Sequence, residues 1–228
     1  MAQLECRNLT LGYEGKTVAS GIDFSLNKGD YLFILGENGS GKSTLAKALL
    51  RLNQALAGEI LFADGLKANR IGYLPQQTPS QKDFPASVKE IVRSGGLNRG
   101  GLFPFYSKEE KERAHTVMEQ LELLPLESRC FRELSGGQQR KVLLARSLMA
   151  TRELLLLDEP AAALDPHATA ELYEIIRRLN QEQKITIIMI SHDLEAAKKY
   201  ADKILHIGKD SAFFGAAEDY FKGGTAHA

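Results

Sequence analysis

The sequence has few cysteines, no excess of charge of either sign and no long apolar run. Its two cysteines, Cys6 and Cys130, lie far apart and have no metal-ligand spacing, which excludes a cysteine-based metal site. No signal peptide is recognisable at the start of the sequence. Together with the scarcity of cysteine, this predicts a reduced, cytoplasmic setting.

The charges balance, with 29 lysine plus arginine residues against 29 aspartate plus glutamate residues. The sequence therefore lacks the basic excess that indicates nucleic acid binding. No apolar run approaches the roughly 20 residues that cross a bilayer, so any membrane association is expected to come through a partner. The five histidines are scattered, and the chain contains neither an internal repeat nor a low-complexity tract.

The most informative stretch is a glycine-rich loop between an apolar run and a predicted helix. Tyr31–Leu35 predicts a strand and Leu45–Leu50 predicts a helix. The loop between them consists of Gly36, Glu37, Asn38, Gly39, Ser40, Gly41, Lys42, Ser43 and Thr44. A strand, a glycine loop ending in Lys-Ser and a helix form the phosphate-binding loop of nucleotide triphosphatases.

The chemistry of this loop follows from its residue types. Glycines permit backbone conformations that direct successive N–H groups at phosphates, helped by the positive end of the following helix. Lys42 is expected to reach the β- and γ-phosphates, and the Ser43 hydroxyl to coordinate Mg²⁺. The alternative is a flexible Gly/Ser turn before a helix. A dinucleotide-binding loop is excluded, because the glycines are not in G-x-G-x-x-G order.

Short strand patterns occupy the first third of the chain, before and after the loop. The predicted strands are Leu4–Leu11, Val18–Leu26, Gly58–Phe62 and Ile71–Leu74. The first two alternate apolar and polar residues, which predicts an antiparallel β layer beside the nucleotide.

From residue 76 to residue 134 the pattern becomes helical, which predicts a subdomain inserted into an α/β core. Helices are predicted at Ser87–Arg93 and Lys108–Leu124, with a glycine-rich loop from Ser94 to Gly101 between them. Residues 1–75 and 135–228 are assigned to the core. The later core elements are predicted as helix Gly137–Ala150, strand Leu154–Leu157, helix Pro166–Glu182, strand Ile185–Ile190, helix Leu194–Tyr200 and a last strand Lys203–Ile207. The polar tail after Tyr220 is expected to fray.

Asp158 and Glu159 end the strand that begins at Leu154. Adjacent carboxylates are costly to bury without a cation or a shared proton. In a phosphate-loop protein the first is placed to hold Mg²⁺, and the second to polarise the water that attacks the γ-phosphate. The alternative is an exposed acidic end of a strand.

A second candidate anion site lies in Leu134–Arg140, at the start of a predicted helix. Ser135 suits the N-cap position, and the following glycine pair exposes N–H groups at the positive end of the helix. Taken alone, the stretch could equally be an ordinary helix cap.

Four motifs together, in this order and spacing, resemble the ATP-binding subunit of an ABC transporter. They are the phosphate loop, Leu134–Gln138, Leu154–Pro160 and Ile190–Asp193. The Leu-Ser-Gly-Gly-Gln signature is the most specific of them, and the resemblance covers nearly the whole chain. It implies an α/β fold: a P-loop NTPase core with a mostly parallel sheet flanked by helices, an N-terminal antiparallel β layer and an inserted α-helical subdomain. The implied cofactors are ATP and Mg²⁺.

The resemblance also implies roles for residues that their own patterns leave open. Tyr13 would stack on adenine, although a lone tyrosine is more often a packing residue. Gln76 would contact Mg²⁺ and the attacking water and join the two subdomains, where a single glutamine is usually a surface residue. His192 would contact the γ-phosphate, where a strand-end histidine is usually structural. Asp158 would be the metal-side carboxylate and Glu159 the general base.

A second copy of the chain is implied as well. Its Ser135, Gly136, Gly137 and Gln138 would bind the γ-phosphate of the ATP held by the first copy, and the Ala162–Asp165 loop would cross the interface. Ala162 stands where the family usually has serine, so one hydrogen bond across the interface is absent and looser coupling is expected. Asp165 is retained.

The segment Asp83–Val92 and the short path from Gly58 to Gln76 resemble ATPases of zinc, manganese and iron importers; siderophore and cobalamin importers share much of this pattern. The implied protein is a transport ATPase at the cytoplasmic face of the membrane, bound to transmembrane permease subunits and served indirectly by a substrate-binding protein. The surface around Phe84 and the loop Gly95–Phe105, with aromatic Phe103, Phe105 and Tyr106, is the expected permease contact.

Two functions of other classes remain as alternatives. A soluble ABC-type ATPase acting on DNA or ribosomes would need coiled coils or tandem copies, and the sequence has no heptad tract. A P-loop kinase would have no use for Leu134–Gln138.

Overall fold

The computed structural model describes residues 2–13, 16–63, 66–76, 83–96, 106–208 and 211–222. The strands are β1 (Leu4–Tyr13), β2 (Lys16–Leu26), β3 (Tyr31–Leu35), β4 (Ala57–Phe62), β5 (Gly72–Leu74), β6 (Leu154–Asp158), β7 (Thr186–Ile190), β8 (Lys203–Ile207) and β9 (Ala212–Ala216). The helices are α1 (Lys42–Leu49), α2 (Val88–Ser94), α3 (Lys108–Gln120), α4 (Gly136–Ala150), α5 (Pro166–Gln183), α6 (Leu194–Tyr200) and α7 (Ala217–Lys222). No helix within these ranges has both the length and the apolarity needed to cross a membrane.

The larger sheet has six strands in the order β5-β6-β7-β3-β8-β9 and is parallel except for β9. Strands β3, β6 and β7 are buried at every position, as expected when both faces of a parallel sheet are covered. Because parallel strands share their direction, the segments that follow β3, β6 and β7 emerge at one edge. The functional motifs therefore converge there.

Side-chain alternation along β3 divides the core into two layers. Leu32 and Ile34 pack with α1 and the antiparallel sheet β2-β1-β4, whereas Tyr31, Phe33 and Leu35 pack with the helices of the opposite face. The antiparallel pairing that the alternating sequence predicted is confirmed, and this layer covers one face of the larger sheet.

Helices α2 and α3 pack on α4, and their apolar side chains join the core layer on that face. Gly95, just after α2, allows the close approach, since a Cβ there would lie 2.0 Å from the Arg146 carbonyl oxygen. The proposed boundary of a helical subdomain at residues 76–134 stays a prediction, because the apolar contacts continue across it.

Two predicted boundaries were wrong, and one strand was not predicted. Helix α3 ends at Gln120 and does not reach Leu124, because Glu122 has a φ of 58° and a short 3₁₀ turn follows at Leu124–Leu126. Strand β8 is not the last strand: β9 pairs with it antiparallel at the sheet edge. Helix α7 then continues past Tyr220 to Lys222, and the predicted fraying of residues 223–228 lies outside the described residues.

Candidate nucleotide-binding site

The glycine loop after β3 has positions whose backbone conformation requires glycine. Gly36 has a φ of 142°, and a Cβ there would lie 2.4 Å from the carbonyl oxygen of Ile207. Gly41 has a φ of 101° and begins α1 without a side-chain cap, and the first turn of α1 has no acidic residue. The N–H groups at the start of α1 are therefore left for an anion.

Lys42 lies across the mouth of this loop and is almost fully buried. Its Nζ donates hydrogen bonds to the carbonyl oxygens of Gly36 and Glu37, both at 2.7 Å. Burial lowers the Lys42 pKa, and the negative charges of Glu159 and Asp158 act against that shift. The ammonium group is thus placed where phosphate oxygens would replace backbone carbonyls as its partners.

Asp158 and Glu159 continue β6 into the same edge of the sheet. Burial raises the pKa of both carboxyl groups, more than the cations around them lower it. A hydrogen bond from the Tyr73 hydroxyl to Asp158 acts in the opposite direction and lowers the pKa of the Asp158 carboxyl group. Two partly desolvated carboxylates at one strand end are well suited to a bound cation.

Glu159 has a strained main chain and a close histidine. Its φ of 48° lies in the left-handed region, and its N–H donates to the Ile190 carbonyl at 2.9 Å. His192 Nε2 lies 3.1 Å from Glu159 Oε1. The two atoms are within ion-pair distance but do not form a hydrogen bond, because Oε1 has no partner with hydrogen-bond geometry among the described residues.

Tyr13 and Gln76 both line the site. Tyr13, at the end of β1, is 42% exposed, and its hydroxyl accepts a hydrogen bond from Thr44 Oγ1 at 3.2 Å. The Lys47 ammonium lies 5.8 Å from the Tyr13 ring centre. Gln76 follows β5 and is exposed to the cleft.

These residues enclose a cleft of about 550 Å³. Its lining is Tyr13, Val18, Asn38, Gly39, Gly41, Lys42, Ser43, Thr44, Gln76, Asp158, Glu159, Ala162, Ile190 and His192. Of the predicted loop residues, only Gly36, Glu37 and Ser40 are absent from the lining. The structure thus brings residues from widely separated parts of the sequence to one cleft.

The predicted signature residues do not line the cleft. Ser135 caps α4 with a capping box: its Oγ accepts from the Gln138 N–H at 3.3 Å, and its own N–H donates to the Gln138 side chain at 3.1 Å. Asp165 caps α5 in a similar way, accepting from the Ala168 N–H at 2.9 Å. A Cβ on Gly137 would lie 3.0 Å from the Ala168 Cβ. The two helix N-termini therefore form one exposed surface, separate from the cleft of the same chain.

Sequence reasoning missed several members of the site. Val18 lines the cleft, as does Ile190, which the predicted Ile190–Asp193 motif included without a role, and Tyr73 contacts Asp158 from the neighbouring strand. Arg140 directly follows the signature glutamines and reaches the Glu159 main chain. Ala162 was noted as a departure in the interface loop, and the structure places it in the cleft lining. No spacing rule could find these contacts, because each joins elements far apart in sequence.

Known proteins are similar to this chain over most of its length. Residues 19–162 match the ABC transporter family. The zinc uptake system ATP-binding protein ZurA of Listeria innocua is 33% identical over 223 residues, covering 95% of this chain and 87% of ZurA. The zinc import ATP-binding protein ZnuC of Wolbachia sp. subsp. Brugia malayi is 36% identical over 207 residues, covering 90% of this chain and 79% of ZnuC.

A solved structure is similar over the same extent. An ABC transporter described as being of metal-chelate type, in an inward-facing conformation, has a chain that is 32% identical with a TM-score of 0.86. The match covers 96% of this chain and 85% of that one. The α/β fold and the family resemblance predicted from the sequence are confirmed. The chain belongs to the ABC transporter family and is an ATP-binding, ATP-hydrolysing cassette of that family.

Proposed function

We propose that this ATPase powers the import of a divalent metal ion by closing on ATP together with a second copy of itself. The observation that carries the proposal is the division of the site. The cleft is lined by Lys42, Glu159 and His192, whereas the signature residues at the start of α4 do not line it. A nucleotide bound to the loop of one copy would meet the signature of the other, so each complete site would need two chains.

The roles of the cleft residues follow from their chemistry. Loop N–H groups and Lys42 bind the phosphates, and Tyr13 packs against the base. Glu159 accepts the proton of the attacking water, a role that suits a carboxylate with a pKa raised by burial. His192, beside that carboxylate, contacts the γ-phosphate and responds to its loss.

The residues present fit a magnesium ion. Ser43, Asp158 and Gln76 offer hydroxyl, carboxylate and amide oxygens to the cleft, which are the hard ligands that Mg²⁺ prefers. Within the described ranges there is no cluster of three or more histidine, cysteine, aspartate or glutamate residues that could hold a metal. Bound Mg²⁺ would neutralise charge that develops on the transferred phosphoryl group.

The surface of the opposite copy supplies the remaining contacts. Ser135, Gly136, Gly137 and Gln138 would hold the γ-phosphate, and Asp165 would cross the interface beside them. The family's usual serine is replaced by Ala162, so the interface loop offers one hydroxyl fewer. Hydrolysis and phosphate release remove the charge that joins the two copies, and the dimer opens.

The transported substrate is inferred from the relatives. ZurA and ZnuC are named for zinc uptake and zinc import, which favours a divalent metal ion. A metal chelate is the second candidate, because the similar transporter structure is described as metal-chelate type. In both cases the substrate would pass through separate membrane subunits, and this chain would sit at the cytoplasmic face of the membrane.

The membrane subunits are proposed to bind around Phe84. Its side chain is 56% exposed, and in the sequence Phe84 lies between Gln76 and the start of α2. An exposed aromatic at this position favours a partner contact. Of the predicted contact loop, residues 97–105, with Phe103 and Phe105, lie outside the described residues, and Tyr106 is half-buried.

The change Glu159→Gln tests the shared site. The variant should bind ATP yet turn over at a small fraction of the wild-type rate, because the amide cannot accept a proton from water. With ATP held unhydrolysed, size-exclusion chromatography should give a dimer in ATP and Mg²⁺ and a monomer without nucleotide. Glu119→Gln, on the exposed face of α3, is the control and should behave as wild type. A Glu159→Gln variant that stays monomeric in ATP would refute the shared site.

A further inference from the structure

Among the described residues, Arg140 has the largest side chain that is fully buried, at 1% exposure. It lies on α4, the helix that begins at the signature. Its Nη2 donates to the carbonyl oxygen of Glu159 at 3.0 Å, and its Nη1 donates a longer bond to the carbonyl oxygen of Pro75 at 3.4 Å. One guanidinium thus joins the main chain before Gln76 to the main chain of the proposed base.

A buried guanidinium here is costly and calls for a reason. Burial lowers the Arg140 pKa, and the negative charge of Asp158 partly offsets that shift. No carboxylate in the described ranges lies within ion-pair distance of Arg140, and its Nε has no hydrogen-bond partner there. An apolar side chain of similar volume would fill the space without desolvating a charge. What Arg140 adds, and an apolar side chain could not, are the hydrogen bonds to the two carbonyl groups.

Both carbonyl groups belong to backbone whose placement affects the cleft. Glu159 is held in the left-handed region, a conformation that is unfavourable for a residue with a side chain. Such a conformation persists only where neighbouring contacts fix it. Its N–H is fixed by Ile190 and its carbonyl by Arg140. Pro75 has no N–H, so its carbonyl is the hydrogen-bonding group that can orient the chain entering Gln76.

We propose that Arg140 is a positioning residue for ATP hydrolysis, which fixes Glu159 and Gln76 relative to the signature helix of the same chain. Closure of the signature on a nucleotide held by the other copy would then adjust both residues through one side chain. The proposal rests on the proposed function for the roles of Glu159 and Gln76. It adds a connection within one chain. Arg140 would link the signature, which meets the ATP held by the other copy, to Glu159 and Gln76, which act on the ATP held by the same chain.

Arg140→Gln tests the proposal, with Arg113→Gln as the matched control. Arg113 also donates from Nη2 to main-chain carbonyls, those of Leu148 and Thr151 at the far end of α4, and it does not line the cleft. Misplacing a catalytic group by about 1 Å costs on the order of 10²-fold in rate. Arg140→Gln should therefore lower kcat by roughly that factor, while KM and the affinity for a fluorescent ATP analogue stay near wild type. Arg113→Gln should lower the Tm without this loss of kcat.

Two further variants separate positioning from a folding defect. Arg140→Lys keeps the cation and can reach one of the two carbonyls, so it should recover part of the lost kcat. In the Glu159→Gln background, Arg140→Gln should lower the residual turnover little further, because both changes act through the same group. Independent, multiplying losses would overturn the proposal, as would an unchanged kcat in folded Arg140→Gln or an equal loss in Arg113→Gln.

The outcome is distinct from failure of the proposed function. A wild-type protein without ATPase activity would refute the function itself. A wild-type protein that hydrolyses ATP, with Arg140→Gln as active, would refute only the role of Arg140.

Discussion

At the scale of single residues, the cleft concentrates groups that water would stabilise better than the protein does. Asp158 is nearly inaccessible, and the Glu159 carboxylate lies against His192 with one oxygen lacking a hydrogen-bond partner in the described structure. Burial raises the pKa of both carboxyl groups and lowers that of Lys42. The site by itself therefore lowers the free energy of unfolding. Binding of nucleotide and a cation would raise it again.

The raised pKa of Glu159 gives stability a definite dependence on pH. The folded protein holds the Glu159 proton more tightly than the unfolded chain, whose ordinary pKa is 4.5. The contribution to stability is thus fully present below pH 4.5 and is lost as the pH rises through the folded-state pKa. Since glutamine does not titrate, Glu159→Gln should be more stable than wild type at pH 7, with the difference shrinking as the pH falls towards 4.5.

Thermal unfolding without nucleotide at a series of pH values measures this difference. For a chain of this length, Tm rises by about 2–4 °C for each kcal/mol gained. Glu119→Gln, exposed on α3, is the reference for replacing a carboxylate by an amide. A Glu159→Gln variant less stable than wild type at pH 7 would show that the carboxylate is stabilised by its cations and not destabilised by burial.

At the scale of elements, two helices begin with the same device in different surroundings. Ser107 caps α3 and Ser135 caps α4, each accepting a hydrogen bond from the N–H three residues on and each answered by a Glu or Gln side chain. The Oγ–N distances are 3.2 Å for Ser107 and 3.3 Å for Ser135. The caps should contribute alike to stability, so any further effect of Ser135 must come from what its exposed surface meets.

The paired changes Ser107→Ala and Ser135→Ala exploit this match. Each removes one N-cap and should lower the free energy of unfolding by about 1 kcal/mol. In the Glu159→Gln background, only Ser135→Ala should weaken ATP-dependent dimer formation, because only that cap is proposed to touch the nucleotide of the other copy. Chemical denaturation and size-exclusion chromatography give the two readouts. Equal dimerisation by both variants would argue that Ser135 is merely a cap.

At the scale of the whole molecule, a parallel sheet collects the ends of β3, β6 and β7 at one edge, while α4 and α5 present their N-termini on a different surface. On the proposed function, one chain would carry most of a phosphate site and, elsewhere, the part that completes the site of a second chain. Under that proposal, the separation would allow the binding of ATP to drive the movement of two copies relative to each other.

Metal uptake tests the function of the assembled protein. In cells lacking this chain, growth and ⁶⁵Zn²⁺ accumulation under zinc limitation should fall and should be restored by wild type but not by Glu159→Gln, because import needs hydrolysis. Glu119→Gln should restore uptake. If zinc accumulation is unaffected while uptake of a metal chelate falls, the chelate candidate replaces the free ion.

The sequence by itself determined the pieces whose chemistry is local. The phosphate loop needs glycines at fixed backbone positions and a lysine at a fixed spacing, and the Asp158–Glu159 pair needs only the end of an apolar strand. These features are set by main-chain geometry over a few residues. Helix and strand positions were also largely readable, because burial on one or both faces leaves a periodic trace.

Only the tertiary structure decided which pieces meet. Ser135 and Lys42 both suggested anion binding, and the fold placed one outside the cleft that holds the other. Val18, Tyr73 and Arg140 entered the site through contacts between distant elements, which leave no periodic signal in the sequence. The physical reason is that a side chain's partners depend on how whole elements pack, whereas a loop's backbone conformation depends mainly on its own residues.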